Sequence, residues 1–401
     1  MEGITDAAQV PELDFDPFSR AFLEDPFPRH ARLRDAGPVA WLRQYGVYAV
    51  GRHAEVRAVL GDWQAFSSAA GVGLADFRRE KPWRLPSLVL ETDPPQHGRA
   101  RRVLGRVLSG DAVRALRTRF QQDAEEMVAG LVERGTFDAV PDLAEAYPLQ
   151  VFPDAVGMPR ENRRHLLPYG NMLFNSFGPH NALFQDAVQD AAPVLEWVQA
   201  QSRRENLAPA GFGAEIHAAA DAGELTHEEA PMVVRSLLSA GVDTTVSGLG
   251  AALFCLATHP EQFQALRADP SLARSAFEEA VRFETPVQTF FRTTTRPVEL
   301  GGAMLDEGRK VLVFMGAANR DPGRWERPDD YDIRRPVAGH VGWGVGIHAC
   351  VGMLLARLEG ECVLTALAQQ ARAIELAGPP VRRCNNTLRG LASLKLRLLP
   401  A

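Results

Sequence analysis

Cysteine is scarce in this chain. Four occur, Cys255, Cys350, Cys362 and Cys384, widely spaced and never as Cys-x-x-Cys. That spacing argues against structural zinc and against an iron–sulfur cluster of the chain's own. A Gly-x-Gly-x-x-Gly dinucleotide signature is missing as well. There is no internal repeat, no low-complexity linker and no uninterrupted apolar run of membrane-spanning length. The opening Met1-Glu2-Gly3-Ile4-Thr5-Asp6 lacks the basic and apolar regions of a signal peptide. A net charge of −6 gives no general footprint for nucleic acid or an anionic membrane. These absences lead to the expectation of a cytoplasmic monomer that binds neither nucleic acid nor membrane. One continuous domain over 1–401 is expected, with a flexible N-terminus at about 1–15.

What is present is enough apolar residue, 46%, to bury a substantial core. Proline clusters at Asp93-Pro94-Pro95, Gly178-Pro179 and Gly378-Pro379-Pro380 read as turns. Tyr45-Gly46, between Pro38–Arg43 and Val47–Val50, predicts a small hairpin. Helices are predicted over Arg52–Leu60, Ala112–Glu133, Asn181–Arg204, Ala230–Thr258 and Gly352–Ala371, with another after Pro95 and one before Phe283. Short strands are predicted at Phe290–Thr295, Val298–Leu300, Val311–Phe314 and Ser393–Leu399. The pattern is mainly α with a small discontinuous sheet.

Thr226-His227-Glu228-Glu229 has the form of a capping box. The helix after it would run about 30 residues, or about 45 Å, long enough to cross the middle of a globular protein. Inside it lies Ala240-Gly241-Val242-Asp243-Thr244-Thr245, a run unfavourable for a helix interior. One reading is a kinked packing helix, opened where a hydroxyl bonds back to a carbonyl beside a glycine. Near the C-terminus, Trp343-Gly344-Val345-Gly346-Ile347-His348-Ala349-Cys350-Val351-Gly352 sets one cysteine among glycines before a helix. A buried cysteine is more often core filling than a ligand. This glycine-rich setting could instead bring a thiolate close to a large flat cofactor.

The cysteine segment resembles the haem-thiolate loop of the cytochrome P450 enzymes, Phe-x-x-Gly-x-His/Arg-x-Cys-x-Gly, with Trp343 in place of Phe. Ala240–Thr245 resembles the oxygen-activating motif of the same family. The resemblance implies a helical triangular prism with a small β region, haem b as cofactor and Cys350 as the iron ligand. It implies that Gly241 leaves room for dioxygen and that Asp243 and Thr244 deliver protons. His97, Arg101, Arg292 and His348 would hold the haem propionates. Glu279 and Arg282, three apart on one helix, match the family's buried ion pair, with Arg324 or Arg327 as its expected third member.

Three segments are similar to bacterial members that oxidise para-substituted benzoic acids: Pro82–Leu88, Arg235–Gly241 and Val287–Thr293. Ser236, Ser239, Ala240, Asp243 and Thr244 share one helix face by spacing. Ser236 to Thr244 spans about 12 Å, enough for much of a para-substituted ring. Arg84, Ser87, Arg235, Ser236 and Ser239 are the candidates for holding a carboxylate. The resemblance implies direct contacts from Ser87 and Ser236, help from Arg84 and Arg235 at the pocket edge, and apolar walls from Leu90, Phe174, Phe177, Val287 and Phe290. Ser176 stands where an apolar residue is expected. The implied reaction is O-demethylation of 4-methoxybenzoate with O2. Electrons would come from a separate [2Fe-2S]-type ferredoxin and its NAD(P)H-dependent reductase, with Arg102 and Arg106 as docking residues. Hydroxylation of a terpene, fatty acid or secondary metabolite, and a non-catalytic haem sensor or electron carrier, are the alternatives.

Overall fold

The computed structural model describes residues 10–401. The helices, about half of the chain, pack around one large apolar cluster that runs from Ala100 to Leu398. The sheets are small and lie to one side. The largest has six strands in the order Glu12–Leu13, Ala40–Leu42, Val47–Val50, Lys310–Phe314, Thr289–Thr294 and Phe66–Ser67. Its central strands Val47–Val50 and Lys310–Phe314 pair in parallel, and their β-branched residues are buried on both faces. The hairpin at Tyr45-Gly46 forms as expected, with Ala40–Leu42 antiparallel to Val47–Val50. Of the stretch 1–15 expected to be flexible, residues 1–9 lie outside the described residues. Glu12–Leu13 pairs in parallel with Trp41–Leu42.

The capping box closes in both directions. The Glu229 amide donates to Thr226 Oγ1 at 3.1 Å, and the Thr226 amide donates to Glu229 Oε2 at 2.9 Å. The helix that follows is not continuous. It runs Glu229–Ala240, opens at Gly241-Val242 and resumes as Asp243–Thr258. The whole run has the length and hydropathy of a membrane span, but Arg235 and Asp243 interrupt it and most of it is buried inside the protein. Two other predicted helices are also divided. Gly110–Ala115 and Arg117–Arg134 meet at Leu116, and Ala182–Ala191 reaches Leu195–Gln201 through a short 3₁₀ turn. The cysteine segment leads directly into a helix over Met353–Gln370. That helix lies close along Ala273–Glu284, where Gly360 leaves space for the Phe277 ring.

Candidate functional site

A cavity of about 540 Å³ lies between the opened helix, the cysteine segment and the strand Thr289–Thr294. Cys350 faces into it. The Cys350 amide donates to the Trp343 carbonyl at 2.7 Å, which folds the segment back on itself. Its sulfur lies at the N-terminus of Met353–Gln370. Burial raises the thiol above its ordinary value, opposed by the amides of Gly352 and Met353 and by the charges of Arg101 and Arg357. A helix N-terminus with two arginines favours a thiolate once a metal replaces the proton.

Four polar side chains converge beside the cysteine. The His97 and His348 rings stand 4.4 Å apart; the His97 Nε2 is buried without a hydrogen-bond partner, while the His348 Nε2 faces Asp93 at 3.6 Å. Arg292 is buried, and its guanidinium donates to the Phe291 carbonyl at 2.9 Å. Burial pulls it down to about 10, with Asp93 opposing. Burial, then the His348 and Arg101 charges, pulls His97 down to about 4. Arg101 donates to the Ala349 carbonyl next to the cysteine. Two buried arginines that bond only carbonyls, beside an unpartnered imidazole nitrogen, fit an anionic ligand. Together with an in-facing thiol, they fit haem: the thiol for the iron, and the two histidines and two arginines for the propionates.

The opened helix separates the residues expected on one face. Ser236, Ser239, Ala240, Gly241 and Thr244 line the cavity. Thr244 Oγ1 donates to the Ala240 carbonyl at 2.7 Å, and Thr245 Oγ1 to the Gly241 carbonyl at 3.2 Å. These back-bonds occupy carbonyls that a continuous helix would use. Asp243 departs from the expected face. It is buried away from the cavity and pairs with Arg383 at 2.5 Å. Its Oδ2 is unpartnered beside Gly170. A side chain at Gly241 would collide with the Phe152 ring and lie 2.8 Å from the Leu237 carbonyl. Glycine is therefore also demanded by packing against Phe152, which lines the same cavity.

Elsewhere on the cavity lining, Ser87 Oγ and Ser236 Oγ meet at 3.1 Å from segments 149 residues apart. Ser236 donates to the Met232 carbonyl at 2.9 Å, so its oxygen accepts from Ser87. Arg84 does not offer a free charge there. It makes a two-pronged pair with buried Glu91, at 2.8 and 2.9 Å. Glu91 also accepts from the Ser87 amide at 2.8 Å. Arg235 bonds the Leu85 carbonyl at 3.3 Å and has no carboxylate partner among the described residues. Phe174 and Phe177 form one apolar cluster with Leu90, Val287 and Phe290. The Phe177 and Phe290 rings are 5.7 Å apart. Ser176 is outside this wall and donates to the Leu173 carbonyl at 2.6 Å.

Sequence reasoning missed several supports of the site. Glu91 and Arg383 carry no motif. Lys310 carried a signal, a lone charge in an apolar strand. Its ammonium donates to the carbonyls of Ala70, Gly71 and Gly73 at 2.8–3.0 Å. The loop so held accepts from the Phe291 amide through Val72 and donates through Leu74 to the Phe177 carbonyl, each at 2.9 Å. The third member of the Glu279–Arg282 group is Arg335, at 3.0 Å from Glu279, not Arg324 or Arg327. Arg324 lies over the Trp325 ring, and Arg327 pairs with Asp330.

A family model described as Cytochrome P450 matches residues 158–375. Cytochrome p450 CYP199A2 of Rhodopseudomonas palustris is 60% identical over 395 residues, covering 98% of this chain and 96% of that protein. The structure of cytochrome P450 CYP109Q5 from Chondromyces apiculatus has a TM-score of 0.81 at 30% identity, covering 98% of this chain and 100% of that one. Cytochrome P450 CREJ, in complex with (4-ethylphenyl) dihydrogen phosphate, has a TM-score of 0.87 at 24% identity, over 96% and 99% of the two chains. That is a likeness of fold.

Proposed function

Because the chain belongs to the cytochrome P450 family of haem b monooxygenases, which use O2 and electrons from redox partners, we propose that its substrates are para-substituted benzoates and that it O-demethylates 4-methoxybenzoate. Haem, when bound, supplies the reduction of dioxygen and the transfer of one oxygen atom to a C–H bond. The overall balance is 4-methoxybenzoate, O2, two electrons and two protons giving 4-hydroxybenzoate, formaldehyde and water.

One observation carries this reading: the cavity that Cys350 faces is also lined by two hydroxyls, Ser87 and Ser236, that meet at 3.1 Å, and by Arg235, which has no carboxylate partner among the described residues. A carboxylate there would take the Ser87 proton now given to Ser236 and the charge of Arg235. Arg84 acts at one remove, because Glu91 neutralises it while fixing the Ser87 backbone. Buried anions need such donors. The walls of Phe174, Phe177, Leu90, Val287 and Phe290 exclude water and hold the ring lengthwise. The para substituent then points toward Thr244. Thr244 moves protons at its hydroxyl, and Asp243 supplies them after leaving Arg383.

Electrons come from a separate [2Fe-2S]-type ferredoxin and its NAD(P)H-dependent reductase. Arg106 is already paired with Glu224, which leaves exposed Arg102 as the stronger docking cation next to Arg101 and the cysteine segment. The test of the substrate is spectral titration of the ferric protein. The acid should bind at least about tenfold more tightly than its methyl ester. Ser87→Ala, which removes the hydroxyl that donates, should cost the acid about 1–3 kcal/mol and the ester much less. Equal affinities for acid and ester would overturn the reading.

A further inference from the structure

Trp343 stands where the family pattern has phenylalanine, and its extra N–H has found an acceptor. The indole Nε1 donates to both oxygens of Glu278, at 3.2 Å each. Glu278 is buried in the helix Ala273–Glu284 and is shared by three donors. His340 donates from Nε2 at 3.0 Å, while its Nδ1 accepts from the Gly342 amide, so the ring is the Nε2–H tautomer. Arg357 approaches with Nε and, at 3.0 Å, with a terminal nitrogen. The Arg357 guanidinium also lies 5.6 Å from the Trp343 ring centroid. Trp343 is therefore fixed at both ends. Its carbonyl takes the Cys350 amide, and its indole takes Glu278.

We infer that Glu278 is a positioning residue for the thiolate: through Trp343 it fixes the cysteine segment, and through Arg357 it holds a positive charge near the sulfur. Phenylalanine at 343 could not make the first link. Glu278 and Arg357 oppose one another electrostatically at the iron site. A positive charge favours addition of an electron there, and a negative charge disfavours it. Glu278 and Arg357 do not line the substrate end of the cavity, so this inference stands apart from the choice of substrate.

The test is the ferric–ferrous midpoint potential of the purified holoprotein, measured by spectroelectrochemistry with the ferrous–CO spectrum alongside. Glu278→Gln should make reduction more favourable, by roughly three- to tenfold in the equilibrium constant, tenfold being about 59 mV for one electron. Arg357→Gln should move it the opposite way, and Arg357→Lys should restore most of the native value. Trp343→Phe should shift the potential in the native background and much less beside Glu278→Gln. If Glu278→Gln does not fold, the opposite shift of Arg357→Gln and its rescue by lysine decide the matter. Unchanged potentials in the Glu278 and Arg357 variants would overturn the inference. So would an equal effect of Trp343→Phe in both backgrounds.

Discussion

Glu279 and Arg282 have no exposed side-chain surface, so their charges must be matched inside the protein. Arg282 gives two hydrogen bonds to Glu279, at 2.7 and 2.8 Å, and others to the carbonyls of Asn319, Pro328 and Asp330. Arg335 adds a second cation to the same carboxylate and ties down the carbonyls of Glu326 and Arg327. Removing Glu279 leaves two guanidinium groups without a counter-charge, so Glu279→Ala should destabilise by about 3–5 kcal/mol. Arg335→Ala should cost clearly more than Arg324→Ala or Arg327→Ala in urea denaturation of the holoprotein. Equal costs for the three arginines would remove Arg335 from this role. The Glu279–Arg282 spacing was legible because three residues is one helical turn. The third partner was not. Four arginines crowd residues 324–335, and the one that reaches inward is chosen by the turns between them, including the left-handed backbone at Arg327.

The helix opening depends on a short run of residues. Gly241, Asp243, Thr244 and Thr245 flagged a weak helix interior, and the break falls at Gly241-Val242. What the sequence could not reveal is which way each side chain turns across the break. Arg383, on a strand 140 residues later, takes Asp243 out of the cavity. Gly241→Ala should force the Phe152 ring aside and cost about 1–3 kcal/mol. A melting temperature unchanged from native would show that Phe152 yields freely. Helices next to clear caps or turns were readable, such as Met353–Gln370. Ala146–Val156 was not, because it follows a π-helical turn and contains Pro148 and Pro153. Leu166–Asn175 was hidden by Pro168 and Gly170 in its interior. In both, tertiary packing overrides local preference. The cavity walls were legible as residues. Their convergence depends on distant loops, such as that held by Lys310.

Across the whole molecule, net charge says little about stability, because the decisive carboxylates are the buried ones. Glu284 is enclosed by Arg320, Arg382 and Arg389. Its carboxyl is held below the ordinary value: burial opposes ionisation, and the three arginines outweigh it. Burial likewise opposes ionisation of Glu278, but His340 and Arg357 hold it down at about 2, from an ordinary 4.5. A carboxyl with a lower value in the folded state binds fewer protons there than in the unfolded chain. Its stabilisation is therefore complete above about pH 4.5 and lost as pH falls toward 2. For Glu278 the loss across that window is about 3 kcal/mol. The fold should weaken steeply on this acid limb while changing little from this source between pH 5 and 8. Glu278→Gln has no proton to take up, so the stability gap between native and variant should narrow by that amount as pH falls from 4.5 to 2. Urea denaturation of both proteins across the acid range measures the gap directly. A gap constant with pH would mean that Glu278 is not what acid attacks, and would shift the acid sensitivity to Glu284 and its three arginines.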